Sequence, residues 1–433
     1  MESCLQRTLA GCLLAAMLTL PGCTRRAETP SVTTITWMVP VNWLRPVTEA
    51  LVARFEAGNP DVRVRLMWVP GMQYQTKFKT LAAAGQAPDI VECGDVWIAY
   101  MLPFMRDLTA WVERDAGEVD LDDFYAEVLE ACRHNGRYYF LASSMNLSLL
   151  YYNVDIFDRA GLAYPDDTWT WADFVEAGRR IMQLEGAGRR GVWGSDLVHG
   201  WWGEWLIYVR QAGGRLFNED LSACLLDSPE AIRGLRMYYD KVHTHGISPR
   251  PGFGPSNGFA SGQVGMLFGG HVSTWKTYNA MPGLDWDVAM LPAGPAGRAG
   301  GEIAVGAYGI TRGSSHPEAA WRLLKFIVSP ENIREQVRLG TLSVRRSVAE
   351  ELLLVPGRTD RPRNMAAVYR QIQCARPIPR SPDYIEIALE IIQPEIDRMI
   401  LGDLTPEVAA RCATDAANRF LKVLGSRRQG EGS

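Results

Sequence analysis

Three tryptophans surround one glutamate in His199-Gly200-Trp201-Trp202-Gly203-Glu204-Trp205, and a fourth, Trp193, lies just upstream. An indole is a broad apolar plate with one N–H donor, so it is either buried with a partner for that donor or used as a stacking face. Trp43, Trp97 and Tyr308 also fall in or beside expected loops, whereas Trp37, Trp68, Trp286 and Trp321 fall inside periodic segments and are assigned to the core. The loop group suits a polyol. A sugar ring offers C–H faces that stack on indole, and hydroxyls that need carboxylate, amide and N–H partners. Asp95, Asn146 and Glu204 supply acceptors of that kind, and Arg345 a bidentate donor.

Catalytic patterns are sparse. Ser273-Thr274-Trp275-Lys276 matches the SxxK pattern of acyl enzymes, but the chain lacks the KTG and SDN partners. His243-Thr244-His245 falls at an expected helix end, where imidazoles help to cap carbonyls. HExxH and Walker A sequences are absent. Without a nucleophile-and-base set the residues favour a binding protein over an enzyme. The enzymatic alternative is an exported SxxK acyl enzyme, or a glycosidase using Asp95 and Glu204.

Elements that would position these residues are legible from the periodicity. Thr34–Pro40 reads as a strand, and Val47, Leu51, Val52 and Phe55 mark one face of a helix that stops at Gly58-Asn59-Pro60. A second strand (62–69), a second helix (from Gln73) and a strand in Pro88–Cys93 follow. That alternation predicts a doubly wound, mostly parallel α/β sheet, with ligands beyond the carboxyl ends of its strands. Asn42, Trp43, Asp95 and Trp97 fall at that rim. Residues 137–153 read as two strands joined end to end around Ser143-Ser144-Met145-Asn146, where the chain leaves one domain for another. Thr170 with Asp173 predicts a capping box, and Ser228-Pro229-Glu230 a second helix start.

At 433 residues the chain exceeds what one core usually serves, so two domains are expected. A net charge of −4 gives no electrostatic case for nucleic acid. The first 23 residues form a charged head, an apolar run too short to span a bilayer, and Leu20-Pro21-Gly22-Cys23, which resembles a lipobox with Cys23 as the lipidated residue. A plain signal peptide cut elsewhere is the alternative. Export makes disulfides possible, yet Cys93, Cys132, Cys224, Cys374 and Cys412 are widely spaced and their pairing is not assigned.

Several segments in order resemble a known family. Phe55–Leu66, Ala82–Asp95, the stretch from Asn135 to Phe157 with its Tyr152-Asn153 pair, Thr168–Phe174, Gln211–Phe217, Phe259–Trp275, His316–Ile333 and Gly340–Val348 are similar to the extracellular solute-binding proteins of carbohydrate ABC importers, the relatives of maltose-binding protein. The resemblance implies a two-lobed periplasmic-binding-protein fold, each lobe a doubly wound mostly parallel sheet flanked by helices and joined by hinge strands. After a signal peptide (1–23) and tether (24–33), lobe 1 would comprise 31–144 and 292–330, lobe 2 145–291 and 331–425, and 426–433 a disordered tail. It further implies a monomer that binds a sugar or oligosaccharide by hinge closure, needs no cofactor or metal, is anchored through Cys23 on the extracytoplasmic side, and delivers its ligand to a membrane permease. Within the same fold, a phosphorylated polyol, a polyamine or a peptide remains the alternative ligand. Asn42, Trp43, Asp95, Trp97, Ser144, Asn146, Trp193, Trp201, Trp202, Glu204, Trp205, Gly270, His271, Tyr308, Arg345 and Tyr384 are the expected ligand residues. Val272 stands where the family often has tryptophan, so the stacking role of that loop is not carried over.

Overall fold

A computed structural model of the chain describes residues 32–41, 45–188 and 191–430. Cys23, most of the tether, Asn42 and Trp43 lie outside them. The first elements alternate as the periodicity predicts: β1 Thr33–Pro40, α1 Arg45–Gly58, β2 Val62–Val69, α2 Tyr74–Ala83 and β3 Ile90–Gly94. β1 lies between β2 and β3 and parallel to both. Residues Ile35 to Val39 are all buried, as expected of a central strand covered on both faces. α1 buries the predicted Leu51, Val52 and Phe55. α3 Asp95–Met101 and α4 Ala126–Cys132 complete this part.

Residues Leu141–Asn153 form one continuous strand of 13 residues, β4, where two strands joined end to end were expected. The polar centre does not break the strand because its side chains find partners: Ser143 donates to Gln336, and Asn146 meets His271. The change of domain occurs instead in the pairing. Up to Leu147, β4 pairs with residues 303–308; from Ser148 it pairs with residues 266–271 and from Leu150 also with residues 286–289.

The second part supplies α5 Trp171–Ile181, β5 Trp193–Ser195, α6 Trp205–Gln211, α7 Pro229–His243, β6 Val264–His271 and β7 Trp286–Ala289. β8, Ile303–Ile310, then returns between β3 and β4. Sheet order is β2-β1-β3-β8-β4-β6-β5, with β7 also on β4. Pairing is parallel at both ends, β2-β1-β3 and β6-β5. In the middle it is antiparallel, because β4 carries the chain out and β8 carries it back. α8 Pro317–Ile327, α9 Pro330–Arg338, α10 Met365–Cys374, a π-helical stretch Glu386–Ile392, α11 Gln393–Leu401 and α12 Pro406–Gly430 follow. Pro394, which lacks an N–H for the helical ladder, sits just past the π-helical turns.

Two apolar clusters fill the interior among the described residues. The first runs from Ile35 to Leu149 and Tyr151, takes in Phe259, Trp275, Tyr278 and Trp286, and continues from Ile303 to Ala375. Leu150, Tyr152 to Ile247, Met266, Phe268, Ala289, Leu291 and Ile378 to Ala417 make the second. The boundary expected at 330–331 falls at the start of α9, which packs on α1 and α8 and buries Ile333 and Val337 in the first cluster. α12 is helical to Gly430, so residues 426–430 of the expected tail are ordered as helix. No disulfide forms among the described cysteines: Cys93, Cys132 and Cys224 are buried, and Cys374 and Cys412 partly so. Among the described residues no helix is long and apolar enough to cross a membrane.

Candidate functional site

The open end of the β1–β3 sheet is held apart by a side chain. Tyr74 of α2 donates from its hydroxyl to the Met38 carbonyl at 2.8 Å and accepts from the Glu92 N–H at 3.0 Å, standing between the two strands. Its ring stacks on half-buried Trp97 of α3, centroids 5.4 Å apart and 14° from parallel. Glu92 is the lone charge in an otherwise apolar strand. Burial pushes its carboxyl up to about 7, against a hydrogen bond from the Tyr308 hydroxyl. Tyr308 meets Trp37 edge-on at 5.5 Å. Ser144 is half-buried where β4 crosses Gly306: a Cβ there would come within 2.4 Å of the Ser144 hydroxyl and would turn it aside. Asp95 opens α3, beside this wall; its side chain lies outside the described residues.

The facing wall comes from the second part, and a chain of contacts builds it. Asn146 accepts from the Leu147 N–H through Oδ1, so its amide nitrogen is the donor toward His271 Nδ1 at 3.3 Å. That fixes the tautomer: Nδ1 accepts, and Nε2 carries the proton. Burial lowers the His271 pKa, which keeps the ring neutral. Nε2 is buried without a hydrogen-bond partner at the end of β6. Trp201 stands perpendicular to His271 at 5.2 Å and edge-on to Trp202 at 5.6 Å. Trp202 in turn abuts Tyr384 at 5.0 Å and donates its N–H to Glu302 at 3.0 Å.

Of the three indoles in the loop, Trp201 is the partly exposed one; Trp202 and Trp205 are buried. Trp205 is fully enclosed, its N–H donated to Gln393 of α11 at 3.0 Å. Glycine makes the arrangement possible. A Cβ on Gly203 would lie 2.2 Å from the Trp201 ring, and one on Gly270 would lie 2.6 Å from Tyr151. Gly270 is therefore a close-packing position with no side chain to offer.

Three expected ligand groups have their polar atoms engaged elsewhere or lie away from this wall. Arg345 is 0% exposed, and its guanidinium is consumed by the carbonyls of Val328, Val119 and Asp120 and by Asp123, over the Phe124 ring. Glu204 is likewise 0% exposed and pairs with buried Lys241. Burial raises its pKa and the Lys241 ammonium opposes that. Trp193 pairs with Val264 at the start of β6, roughly 23 Å along the strand from His271. None of the three faces the wall built around His271. Sequence reading missed Glu92 and Glu302. A single carboxylate inside the apolar run Ile90–Cys93 was the available signal, since a buried strand admits a charge only where something meets it.

No described group of His, Cys, Asp and Glu side chains could hold a metal ion. Gly254-Pro255-Ser256-Asn257-Gly258 fits the GxSxG pattern, but it lies in a run of turns and not between a strand and a helix, where a nucleophile elbow sits.

Known proteins are similar to this chain in sequence and in fold. The family model described as bacterial extracellular solute-binding protein matches residues 43–333. A putative binding protein of Brucella abortus is 25% identical over 395 residues, covering 87% of this chain and 90% of its own. The arabinooligosaccharide-binding protein of Bacillus subtilis is 25% identical over 302 residues, 65% of this chain and 66% of its own. Among solved structures, an ABC substrate-binding protein of Listeria monocytogenes in complex with cycloalternan superposes with a TM-score of 0.76 at 26% identity, over 90% of this chain and 99% of that one. The sugar-binding protein MalE of Xanthomonas citri reaches 0.78 at 20% identity, over 93% and 100%, a likeness of fold.

Proposed function

The chain belongs to the bacterial extracellular solute-binding proteins, and from that premise we propose that it binds a neutral saccharide between its two walls and hands it to the permease of an ABC importer. One observation carries the ligand class: the half-open Trp201 face beside the protonated, unpartnered Nε2 of a neutral His271. An indole plate with an uncharged donor suits the C–H face and hydroxyls of a sugar. Charge argues the same way. Around the walls Arg210, Arg376 and Arg380 donate to backbone carbonyls, and Arg345 is spent as described. These guanidiniums already have backbone partners, which argues against a phosphorylated polyol, while the Glu92 carboxyl accepts from the Tyr308 hydroxyl and that of Glu302 from the Trp202 N–H. The arabinooligosaccharide and cycloalternan named for the relatives are in keeping with this class.

Trp97, Tyr308 and Ser144 would supply the first wall and Asn146, His271 and Trp201 the second, with Trp202 and Tyr384 packed beneath; Asn42, Trp43 and Asp95 complete the first wall in the proposal. We place the two lobes on the two apolar clusters, joined by β4 and β8. Ligand touching both walls then favours the closed form by its differential affinity. A micromolar dissociation constant, about −8 kcal/mol, is the expected scale. The chain acts as a monomer and not as an enzyme in this reading, and is tethered outside the cytoplasm through lipid on Cys23.

Titrating the purified protein with mono- and oligosaccharides, while following tryptophan fluorescence and melting temperature, tests the ligand class. At least one saccharide is expected to shift both signals. A response to a phosphate ester or polyamine alone, with none to any sugar, would overturn it. The anchor is checked separately: Cys23→Ser releases the protein from the membrane fraction if Cys23 is the lipidated residue, and unchanged retention rules it out.

A further inference from the structure

The segment from Asp196 to Glu204 carries Trp201, and a buried ion pair ties its two ends together. At the start, the Lys241 ammonium donates to the Asp196 carbonyl at 2.8 Å, and the Ser248 hydroxyl to the same oxygen at 3.2 Å. The Asp196 carboxylate accepts from the N–H groups of Leu197 and Phe259. At the far end, one Glu204 oxygen receives Lys241 and, at 3.4 Å, the Tyr208 hydroxyl. Its other oxygen reaches back to the Val198 N–H at 2.9 Å, and Tyr238 donates to the Val198 carbonyl at 2.8 Å. Lys241 and Glu204 are both 0% exposed. Between the fixed ends Trp201 rests on Gly203, facing His271.

An ion pair so deep is a poor source of stability. Removing both charges from water costs about what their attraction returns, and a well-packed apolar pair often does as well or better. What the pair supplies is geometry. Glu204 is oriented by three donors and Lys241 links it to Asp196, so the width of the loop is set by charged contacts of fixed length. We propose that Lys241 and Glu204 are positioning residues for the saccharide site: they fix the loop that presents Trp201, and neither touches the ligand. This rests on the saccharide reading above, in which Glu204 itself has no ligand contact.

The test is the double variant Glu204→Gln/Lys241→Met, which removes both charges together and leaves an acceptor for the Val198 N–H. Its melting temperature is expected to stay near that of the wild type, while saccharide affinity falls about tenfold or more. Hydrogen exchange of the ligand-free protein should quicken at residues 199–203 and stay unchanged along β6. A merely structural pair would instead lower the melting temperature and quicken exchange throughout, with wild-type affinity in the folded fraction, and that result overturns the proposal. If the double variant does not fold, Glu204→Gln alone takes its place, and wild-type affinity with unchanged exchange at 199–203 again overturns it. The exchange measurement needs no ligand. A wild-type protein that binds no saccharide would therefore sink the saccharide reading alone, while unchanged exchange would sink the positioning role alone.

Discussion

At the scale of residues, two aromatic-and-basic positions that look alike in sequence part company. Trp201→Ala removes the half-open indole and is expected to weaken saccharide binding by about 2 kcal/mol, read by calorimetry, with little change in melting temperature. Arg345→Met strands buried carbonyls and Asp123; a stability loss of about 3 kcal/mol by urea unfolding is expected, with the affinity of folded protein unchanged. Glu92 makes a pH prediction. Its carboxyl titrates near 7 in the fold against an ordinary 4.5, so the unfolded chain loses that proton first. Stability from this group is whole below about 4.5 and is lost as pH rises through about 7. Glu92→Gln should therefore raise the melting temperature at about pH 8 and leave it nearly unchanged at about pH 4. The aromatic loop was legible as a cluster. Which indole opens was not, because Gly203 and Gln393 decide it from across the packing. The burial of Glu204 was not legible for a related reason: a loop carboxylate is solvated by default, and the lysine it pairs with lies on α7, 37 positions on.

At the scale of elements, local chemistry reads well and long-range pairing does not. The predicted capping box is present, with the Thr170 side chain accepting from the Asp173 N–H and the Asp173 side chain accepting from the Thr170 N–H at 2.8 Å. Ser228 caps α7 with Pro229 in its first turn, as expected. Both signals lie within four residues of sequence, where side-chain reach sets the outcome. Thr170→Ala should cost about 1 kcal/mol in urea unfolding, with saccharide affinity unaltered. β4 was harder, because the polar centre that suggests a break is satisfied by Gln336 and His271, residues more than a hundred positions away. The continuity of that strand has mechanical meaning: one set of backbone bonds passes from the first cluster to the second without a loop between them.

At the scale of the molecule, the two-lobed plan followed from length and motif order, and packing adds to it. Chain order places α9 after the expected boundary, while packing returns it to α1. Ligand held by both walls should stabilise the whole chain by RT ln(1 + [L]/Kd), about 2.7 kcal/mol at a hundredfold excess over Kd, as a single shift of the melting transition. Small-angle scattering under the same conditions should show a smaller radius of gyration; an unchanged radius with a shifted transition would mean binding without closure. The cysteines have a use at this scale. Burial pushes the Cys132 thiol up to about 12 and raises that of Cys224, so alkylating reagents should pass both by in the native state. With no disulfide among the described cysteines, reductant is expected to leave the melting temperature unchanged. Counting labels per molecule by mass spectrometry would thus turn the protein's own thiols into a clock for its opening, legible in the presence and absence of sugar without adding a single probe.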